Sequence, residues 1–192
     1  METGTSTGVV ANPTATTATT WAIDASHTTV EFSVRHMMVS TTKGRFAGVS
    51  GTLVIDEQDP TRSHADVKID AATVDTREEK RDAHLRSADF FNVETHPEIT
   101  FKSTRVVPES SDRYKVYGDL TILGVTREVV LNTEYQGQNK TPWGSEVIGF
   151  SAETKISRKD WGLTYNAALE TGGFLVGDDI KIHLEVEAIK QP

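Results

Sequence analysis

Apolar and polar residues alternate along much of this chain, and a period of two is typical of β-strands with one buried face. Val30, Phe32 and Val34 share one face of such a segment, while the residues between them are polar. Residues 180–187 show the same alternation between aliphatic and charged or histidine side chains. Between these two segments, the pattern predicts further strands that bring the total to about eight, at 45–56, 64–75, 98–108, 112–122, 126–136 and 146–157.

A set of about eight short strands predicts an all-β antiparallel barrel or sandwich. We favour the barrel because closure leaves no exposed strand edges, and a barrel of this size can enclose one small ligand. Small residues at inward positions would leave interior volume unfilled, or, where they are glycines, would mark bends and bulges. These positions are Gly51, Ser103, Gly118, Thr133, Ala152 and Thr154.

One segment, residues 76–88, departs from the strand pattern and predicts a short helix. Thr76 and Glu79 have the spacing of a capping box, so we expect the helix to begin directly after Thr76. The alternating charges of residues 77–82 are expected to form a solvated face. We expect three apolar residues to pack against or close the end of the barrel: Leu85, Phe90 and Phe91.

The longer connections are expected to share one rim of the barrel. In an up-and-down barrel, the loops that follow alternate strands gather at the same end. That end would receive the helix at 76–88 and the connections at 37–44, 123–124 and 158–178. Because binding loops are commonly the elaborate ones, we predict that this rim is the mouth of the barrel.

Two residues at this rim are candidates for binding a polar head group. His36 and Arg158 each extend an apolar face, at the ends of strands that would both flank the last strand. A cation there suits a phosphate, a carboxylate or a quinone oxygen. The alternative is that Arg158 pairs with Asp160, Asp178 or Asp179, beside a hydrogen-bonded histidine.

Other loop residues have two interpretations each. Trp161, Tyr165 and Phe174 can cap a cavity as a lid, or they can anchor the long connection to the core. Met37 and Met38 can line a portal, because methionine adapts to irregular apolar shapes, or they can fill a gap in the core.

Composition and spacing exclude several classes of function. The net charge of −8 argues against a nucleic-acid partner, and the absence of cysteine excludes disulfides and thiolate catalysis. The histidines have no metal-ligand spacing, so we predict neither a metal site nor a cofactor. Asp24, Ser26 and His27 are close in sequence, but neighbours on a strand point to opposite faces, so we predict no catalytic triad and no catalytic residue.

The N-terminal residues differ from the rest of the chain in composition. Residues 1–20 are mostly Thr, Ala, Gly and Ser, which predicts a disordered tail ahead of a domain at 21–190. They lack the basic start and apolar run of a secretory signal, so we expect a cytoplasmic protein, or a periplasmic or secreted one if a leader was removed. The sequence contains no apolar run long enough to span a membrane.

From Trp21 to Ala188 the sequence resembles the YceI-like family, whose members are lipocalin-like barrels that bind polyisoprenoid or related long-chain lipids. The run from Arg81 to Phe91 is the most specific part of the resemblance. Other matching blocks follow in the same order along the chain: Trp21, Ile23, Asp24 and His27; Gly44 and Phe46; Pro97, Ile99 and Phe101; 118–122; Arg158, Trp161 and Gly162; Gly177 and Asp178.

The resemblance implies a lipocalin-like β-barrel of about eight strands, with one short helix between strands three and four. It implies non-catalytic binding, sequestration or transport of a polyisoprenoid or isoprenoid-quinone lipid, with its head near the mouth, and it implies that the chain can form a homodimer. We expect ten residues to contact the lipid: Phe32, Val34, His36, Phe46, Phe91, Phe101, Leu120, Phe150, Arg158 and Trp161.

Two other functions fit the same sequence. One is a lipid-modifying enzyme that uses the barrel cavity, with His36 and either Asp178 or Asp179 as acid and base. The other is an interaction module whose barrel is filled by its own side chains. A hollow apolar interior would argue against the interaction module.

Overall fold

The computed structural model describes residues 18–192, which form eleven β-strands and one α-helix. The helix, α1, spans Glu79–Arg86 and lies between the sixth and seventh strands. The strands are β1 (Ala18–Ile23), β2 (Thr29–His36), β3 (Ser40–Phe46), β4 (Val49–Asp56), β5 (His64–Asp70), β6 (Val74–Asp75), β7 (Glu98–Pro108), β8 (Arg113–Ile122), β9 (Val125–Lys140), β10 (Glu146–Ser157) and β11 (Val176–Lys190).

Eight of these strands form a closed antiparallel barrel, as predicted. Their order around the wall is β1, β4, β5, β7, β8, β9, β10 and β11, and β11 pairs again with β1. The closing strand is β1, in which Trp21 lies opposite Leu53 of β4 and opposite Lys190 of β11. Trp21 is completely buried, and its indole nitrogen donates a hydrogen bond to Thr19 Oγ1 at 2.8 Å.

The remaining three strands continue the wall beyond the short strand β1. The first part of β11 pairs with β2, which pairs with β3, which in turn pairs with β6. The long strand β11 therefore has two partners along one edge, β2 in its first part and β1 at its end.

The predicted strand boundaries were wrong in the first third of the chain. The predicted strand 45–56 is two strands, β3 and β4, which run in the same direction and are separated at residues 47–48. Most of β3 was not predicted because it has little apolar character before Phe46. At position 44 the lack of an apolar side chain has a steric reason, since a Cβ on Gly44 would collide with the ring of Phe32 from the neighbouring strand.

The strand β1 was also not predicted. It begins at Ala18, inside the predicted disordered tail, and pairs with Asp56 at the end of β4. Its Thr- and Ala-rich sequence gives no clear alternation, so only its partners reveal it as a strand. The rest of the predicted tail, residues 1–17, lies outside the described residues.

The predicted gathering of long connections at one rim is confirmed. Because all pairings are antiparallel, β2, β5, β8 and β10 run in the same direction, and the segments that follow them meet at one end. We call this end the helix end. Phe90 and Tyr165 from two of these segments have ring centroids 5.1 Å apart, and Trp161 Nε1 donates to the carbonyl oxygen of Leu120 at 3.0 Å.

The predicted capping box of the helix is wrong. Glu78 precedes α1, and its carboxylate accepts hydrogen bonds from the backbone N–H groups of Lys80 and Arg81 at 3.1 and 2.7 Å. Arg77 has a φ of +64°, which interrupts the chain between Thr76 and the helix.

Thr76 instead belongs to a buried polar network with α1. Its backbone N–H and its hydroxyl both donate to Asp82 Oδ1, and Arg81 Nε donates to the same hydroxyl oxygen at 2.7 Å. Asp82 is buried, so the charged run at 77–82 is not only a solvated face, as was predicted. This network attaches α1 to the strand β6.

No helix among the described residues is long and apolar enough to cross a membrane.

The small inward residues have two different roles. Ser103, Thr133, Ala152 and Thr154 line the interior and leave space there. At Gly118 a Cβ would instead collide with the ring of Phe101, so this ring occupies the space above the glycine.

Substituting Gly118 with Ala should therefore destabilise the barrel. We expect the free energy of unfolding to fall by about 1–3 kcal/mol, because the added methyl group forces the Phe101 ring from its position. Chemical denaturation measures the change. Gly149→Ala is the matched control, since its added Cβ would meet neighbouring atoms only at ordinary distances of 3.4 Å or more, and it should change the stability much less. Equal losses for both variants would contradict this explanation.

Candidate functional site

The barrel encloses a cavity of about 550 Å³. Roughly, this is nearly four times the volume of an engineered cavity that binds benzene. Its wall consists mainly of inward-facing aliphatic and aromatic side chains. Many of these, including Phe32, Ile182 and Leu184, are only half-buried because the space that they face is empty.

Eight of the ten predicted contact residues line this cavity. They are Phe32, Val34, Phe46, Phe91, Phe101, Leu120, Phe150 and Arg158. His36 and Trp161 are not among the lining residues. The prediction omitted several others that share their strand faces, and the same alternation could have identified Ile156, Ile180, Ile182 and Leu184.

The helix end of the cavity is closed. Phe91 packs edge-on against Phe46, with ring centroids 5.5 Å apart, and Leu85 and Phe90 complete this part of the wall. Leu163, from the long connection between β10 and β11, is buried beside them. None of the described residues that line this end is exposed.

The opposite end of the cavity reaches the protein surface. Here the lining includes Glu57, His64, Ser111 and Gln138, and all four are exposed. The prediction that the elaborate rim is the mouth is therefore wrong. The longer connections pack over the barrel and close it, while the end with shorter connections, which we call the mouth end, is open.

Arg158 fastens the long connection that closes the helix end. Its guanidinium has five N–H groups, and the structure provides an acceptor for each of them. The side chain is 3% exposed, and burial lowers its pKa below the ordinary value, while the negative charge of Asp178 acts in the opposite direction. The acceptors are the backbone carbonyls of Leu163, Tyr165, Val176 and Gly177, at 2.5–3.4 Å, and Asp178 Oδ1 at 3.4 Å.

This geometry favours the structural interpretation of Arg158, in which it pairs with Asp178. No N–H group of the guanidinium is left for a lipid head group. His36 lies opposite Val176 in the β2–β11 pairing, and Arg158 donates to the backbone carbonyl of Val176. His36 and Arg158 are therefore close along the sheet. However, the side chain of His36 forms no hydrogen bond with any described residue.

The aromatic residues of the long connection act mainly as anchors. Trp161 is 2% exposed and belongs to the main apolar core, and Tyr165 packs against Phe90 and His84. Phe174 is 62% exposed and is the exception. Met37 and Met38 lie in the exposed turn between β2 and β3, where they neither line the cavity nor fill the core.

Replacing Arg158 with Met should destabilise the protein by roughly 3 kcal/mol, because several buried carbonyl groups lose their donor. Urea denaturation provides the measurement. Lys159→Met is the control, since Lys159 also pairs with Asp178, at 2.8 Å, but from an exposed position where such pairs contribute about 1 kcal/mol or less. An Arg158→Met variant with unchanged stability would argue against the anchoring role.

Asp24, Ser26 and His27 meet in the turn between β1 and β2, contrary to the expectation that they would point apart. Ser26 Oγ donates to Asp24 Oδ1 at 2.6 Å, and His27 Nδ1 lies 2.9 Å from Asp24 Oδ2. A catalytic triad needs the serine and the carboxylate on different ring nitrogens. Here both Ser26 and Asp24 lie near Nδ1, so the arrangement is an exposed hydrogen-bonded turn.

Glu187, a residue of β11, lies beside this turn. Its carboxylate lies 3.6 Å from His27 Nδ1, and the three potential metal-ligating groups of Asp24, His27 and Glu187 are within 4.8 Å of one another. Because Nδ1 of His27 faces both carboxylates, the negative charges favour the protonated form of the ring. The hydrogen bond to Asp24 raises the pKa of His27, and hydrogen bonds from Ser26 and His27 lower the pKa of Asp24 to about 2.

The pKa of His27 should fall towards its ordinary value in an Asp24→Asn variant, because the main stabilising partner of the protonated ring is lost. Histidine NMR titration measures this change. Since folding raises this pKa, the contribution to stability is complete below about pH 6.5 and is lost as the pH rises through the folded value. Glu187→Gln should lower the pKa less, because Glu187 acts only through its charge. Equal decreases in both variants would contradict this assignment.

Comparison with known proteins shows the family of this chain. The model of the YceI-like domain family matches residues 21–188. The chain belongs to the YceI-like family. A UPF0312 protein of Staphylococcus aureus strain MSSA476 is 38% identical to it over 170 residues, which cover 88% of this chain and 96% of that protein. A UPF0312 protein of Photorhabdus laumondii is 42% identical over 139 residues and 72% of each chain.

Solved structures of similar proteins confirm the lipocalin-like barrel of the YceI-like family. The YceI protein of Campylobacter jejuni is 34% identical, has a TM-score of 0.71, and is matched over 82% of this chain and 90% of its own. A polyisoprenoid binding domain from Saccharophagus degradans is 16% identical, with a TM-score of 0.68, over 89% of this chain and 98% of that domain. At this low identity the second comparison concerns the fold alone.

Proposed function

We propose that this protein binds a long-chain lipid of the polyisoprenoid or isoprenoid-quinone type inside the barrel and sequesters or transports it without changing it chemically. The observation that carries this proposal is the apolar cavity of about 550 Å³. A cavity with such a wall excludes charged substrates along most of its length. It offers an environment in which an apolar chain is removed from water.

The energetics are adequate for such binding. Each methylene group that leaves water contributes about 0.8 kcal/mol. About ten buried methylene groups thus provide roughly 8 kcal/mol, which is the binding free energy of a micromolar complex before the costs of ordering. A chain of several isoprene units exceeds this number, so its binding does not require a strong polar contact.

The family supports the same function. The structurally similar domain from Saccharophagus degradans is described as a polyisoprenoid binding domain. Its low identity restricts that comparison to the fold, so the ligand class is part of our proposal for this chain. The match of the family model to residues 21–188 includes all or part of each of the eight barrel strands.

The enzyme and interaction-module alternatives receive less support. His36 does not line the cavity. Asp178 is engaged by Arg158 and Lys159, and Asp179 by Lys155, so neither aspartate forms an acid–base pair with His36 that faces a bound lipid. The interaction module required a barrel filled with side chains, whereas this barrel is hollow.

Native mass spectrometry of the purified protein, offered a prenyl alcohol or a quinone, tests the proposal. We expect one lipid molecule per chain, recovered chemically unchanged after release. Protein that stays empty with every prenyl lipid offered would refute lipid binding. Recovery of a modified lipid would favour the enzyme alternative.

Filling the cavity should prevent binding. Ile182 lines the middle of the barrel, opposite Phe32 on β2 and Thr154 on β10. We expect Ile182→Trp to weaken the binding of a long prenyl chain at least about tenfold, because the indole occupies space that the chain needs. Displacement of a fluorescent fatty-acid probe measures this affinity. Lys181→Trp places the same group on the outer face of the same strand and should leave the affinity unchanged; similar losses would contradict an internal site.

A further inference from the structure

The two ends of the cavity differ in polarity. At the helix end, the lining is apolar except for Arg158, whose N–H groups are engaged by the long connection. At the mouth end, carboxylates, hydroxyls, an imidazole and an amide line the cavity. These residues are Asp56, Glu57, Ser63, His64, Ser111, Tyr114, Tyr135 and Gln138.

We propose that the mouth end holds the polar head of the bound lipid, and that this head is an uncharged hydrogen-bonding group, such as a hydroxyl or a quinone oxygen, and not a phosphate or diphosphate. This inference rests on the proposed function and specifies it further. It gives the lipid one orientation, with its tail directed towards α1 and Phe91. It also reverses the orientation expected from the sequence, in which the head lay beside Arg158.

The charges around the cavity exclude an anionic head on electrostatic grounds. Arg158 is the one Lys or Arg among the described residues that line the cavity. Of the three acidic residues in the lining, Asp56 and Glu57 lie at the mouth end, while Glu31 lies on β2 opposite His183 of β11. The nearby Arg62 is paired with Asp56, with Nε 3.4 Å from Oδ2. A diphosphate placed here would face carboxylates, and none of the described lining residues at this end is a lysine or arginine that could offset the loss of its hydration.

Tyr135 supplies the donor that an uncharged head requires. Its ring packs against Phe150, with centroids 5.6 Å apart, and its hydroxyl forms no hydrogen bond with any described residue. Burial raises the pKa of Tyr135, and the negative charge of Glu57 adds to this effect, so the hydroxyl remains protonated at physiological pH. A lipid oxygen at the mouth end can therefore accept a hydrogen bond from it.

The helix end lacks such a group. Leu85, Phe90 and Phe91 present only carbon atoms from their side chains, and Ile156 and Leu163 complete an apolar wall. An uncharged head placed there would lose its hydrogen bonds to water without replacement. The tail and the head therefore prefer opposite ends of the same cavity.

A series of ligands with one prenyl chain and different ends tests the inference. The series comprises the alcohol, the diphosphate and the bare hydrocarbon, each measured by probe displacement with the full chain at pH 7 and constant ionic strength. We expect the alcohol to bind at least about tenfold more tightly than the diphosphate. A diphosphate that binds as tightly as the alcohol would overturn the proposal. If even the hydrocarbon and the alcohol fail to bind, the proposed function itself is wrong.

Two variants test the residues. Tyr135→Phe should weaken binding of the alcohol about three- to tenfold and leave the hydrocarbon unchanged, which also shows that the cavity remains folded. Tyr117→Phe is the control, because Tyr117 stacks with Arg105 outside the cavity. Equal weakening of alcohol and hydrocarbon by Tyr135→Phe would assign Tyr135 to packing and refute its contact with the head.

Removing the negative charge at the mouth should reduce the discrimination against the diphosphate. We expect Glu57→Gln to strengthen diphosphate binding about two- to fivefold without affecting the hydrocarbon. Glu153→Gln, on the outer surface of β10, provides the matched change of charge and should have no effect. If Glu57→Gln leaves the ratio of alcohol to diphosphate affinity unchanged, the electrostatic argument is wrong.

Discussion

Backbone pairing of β1 with both β4 and β11 is the interaction on which the hollow barrel depends. A barrel with an empty centre gains less from packing across its interior, so its wall must be continuous. The completely buried Trp21 lies at this junction with Leu53, Ile148 and Ala188, and these residues form a compact cluster away from the main core. The barrel is thus closed by hydrogen bonds from β1 to β4 and to β11, together with the apolar cluster around Trp21.

The helix end closes through a different set of forces. Its segments contribute aromatic and aliphatic side chains to the wall, and they are fastened by buried polar groups at two points. Asp82 and Arg81 bind Thr76 at the start of the helical segment, and Arg158 binds the carbonyl groups of the long connection. These polar contacts hold irregular backbone in place, because such backbone has no strand partner to satisfy it. These contacts keep the helix end closed, and under the proposed function the lipid enters from the mouth end.

An empty apolar cavity lowers the stability of a folded protein, since its lining loses contacts that close packing would provide. A lipid that fills the barrel would restore these contacts, and its stabilisation of the folded state would grow with the logarithm of its concentration above the dissociation constant. In the binding mode that we propose, apolar length determines affinity, while Tyr135 and the acidic residues near it determine which head group is accepted. This proposal places affinity and selectivity in different parts of one cavity.

The sequence by itself determined the inward faces of most strands, because side-chain alternation is a local property of extended backbone. For this reason Phe32, Phe101 and Phe150 were correctly predicted to line the interior. Tertiary structure alone decided that β1 closes the barrel, that the guanidinium of Arg158 donates its hydrogen bonds to the long connection, and which end is open. These features depend on contacts between segments that are distant in the chain, and side-chain periodicity carries no information about which loop packs over which rim.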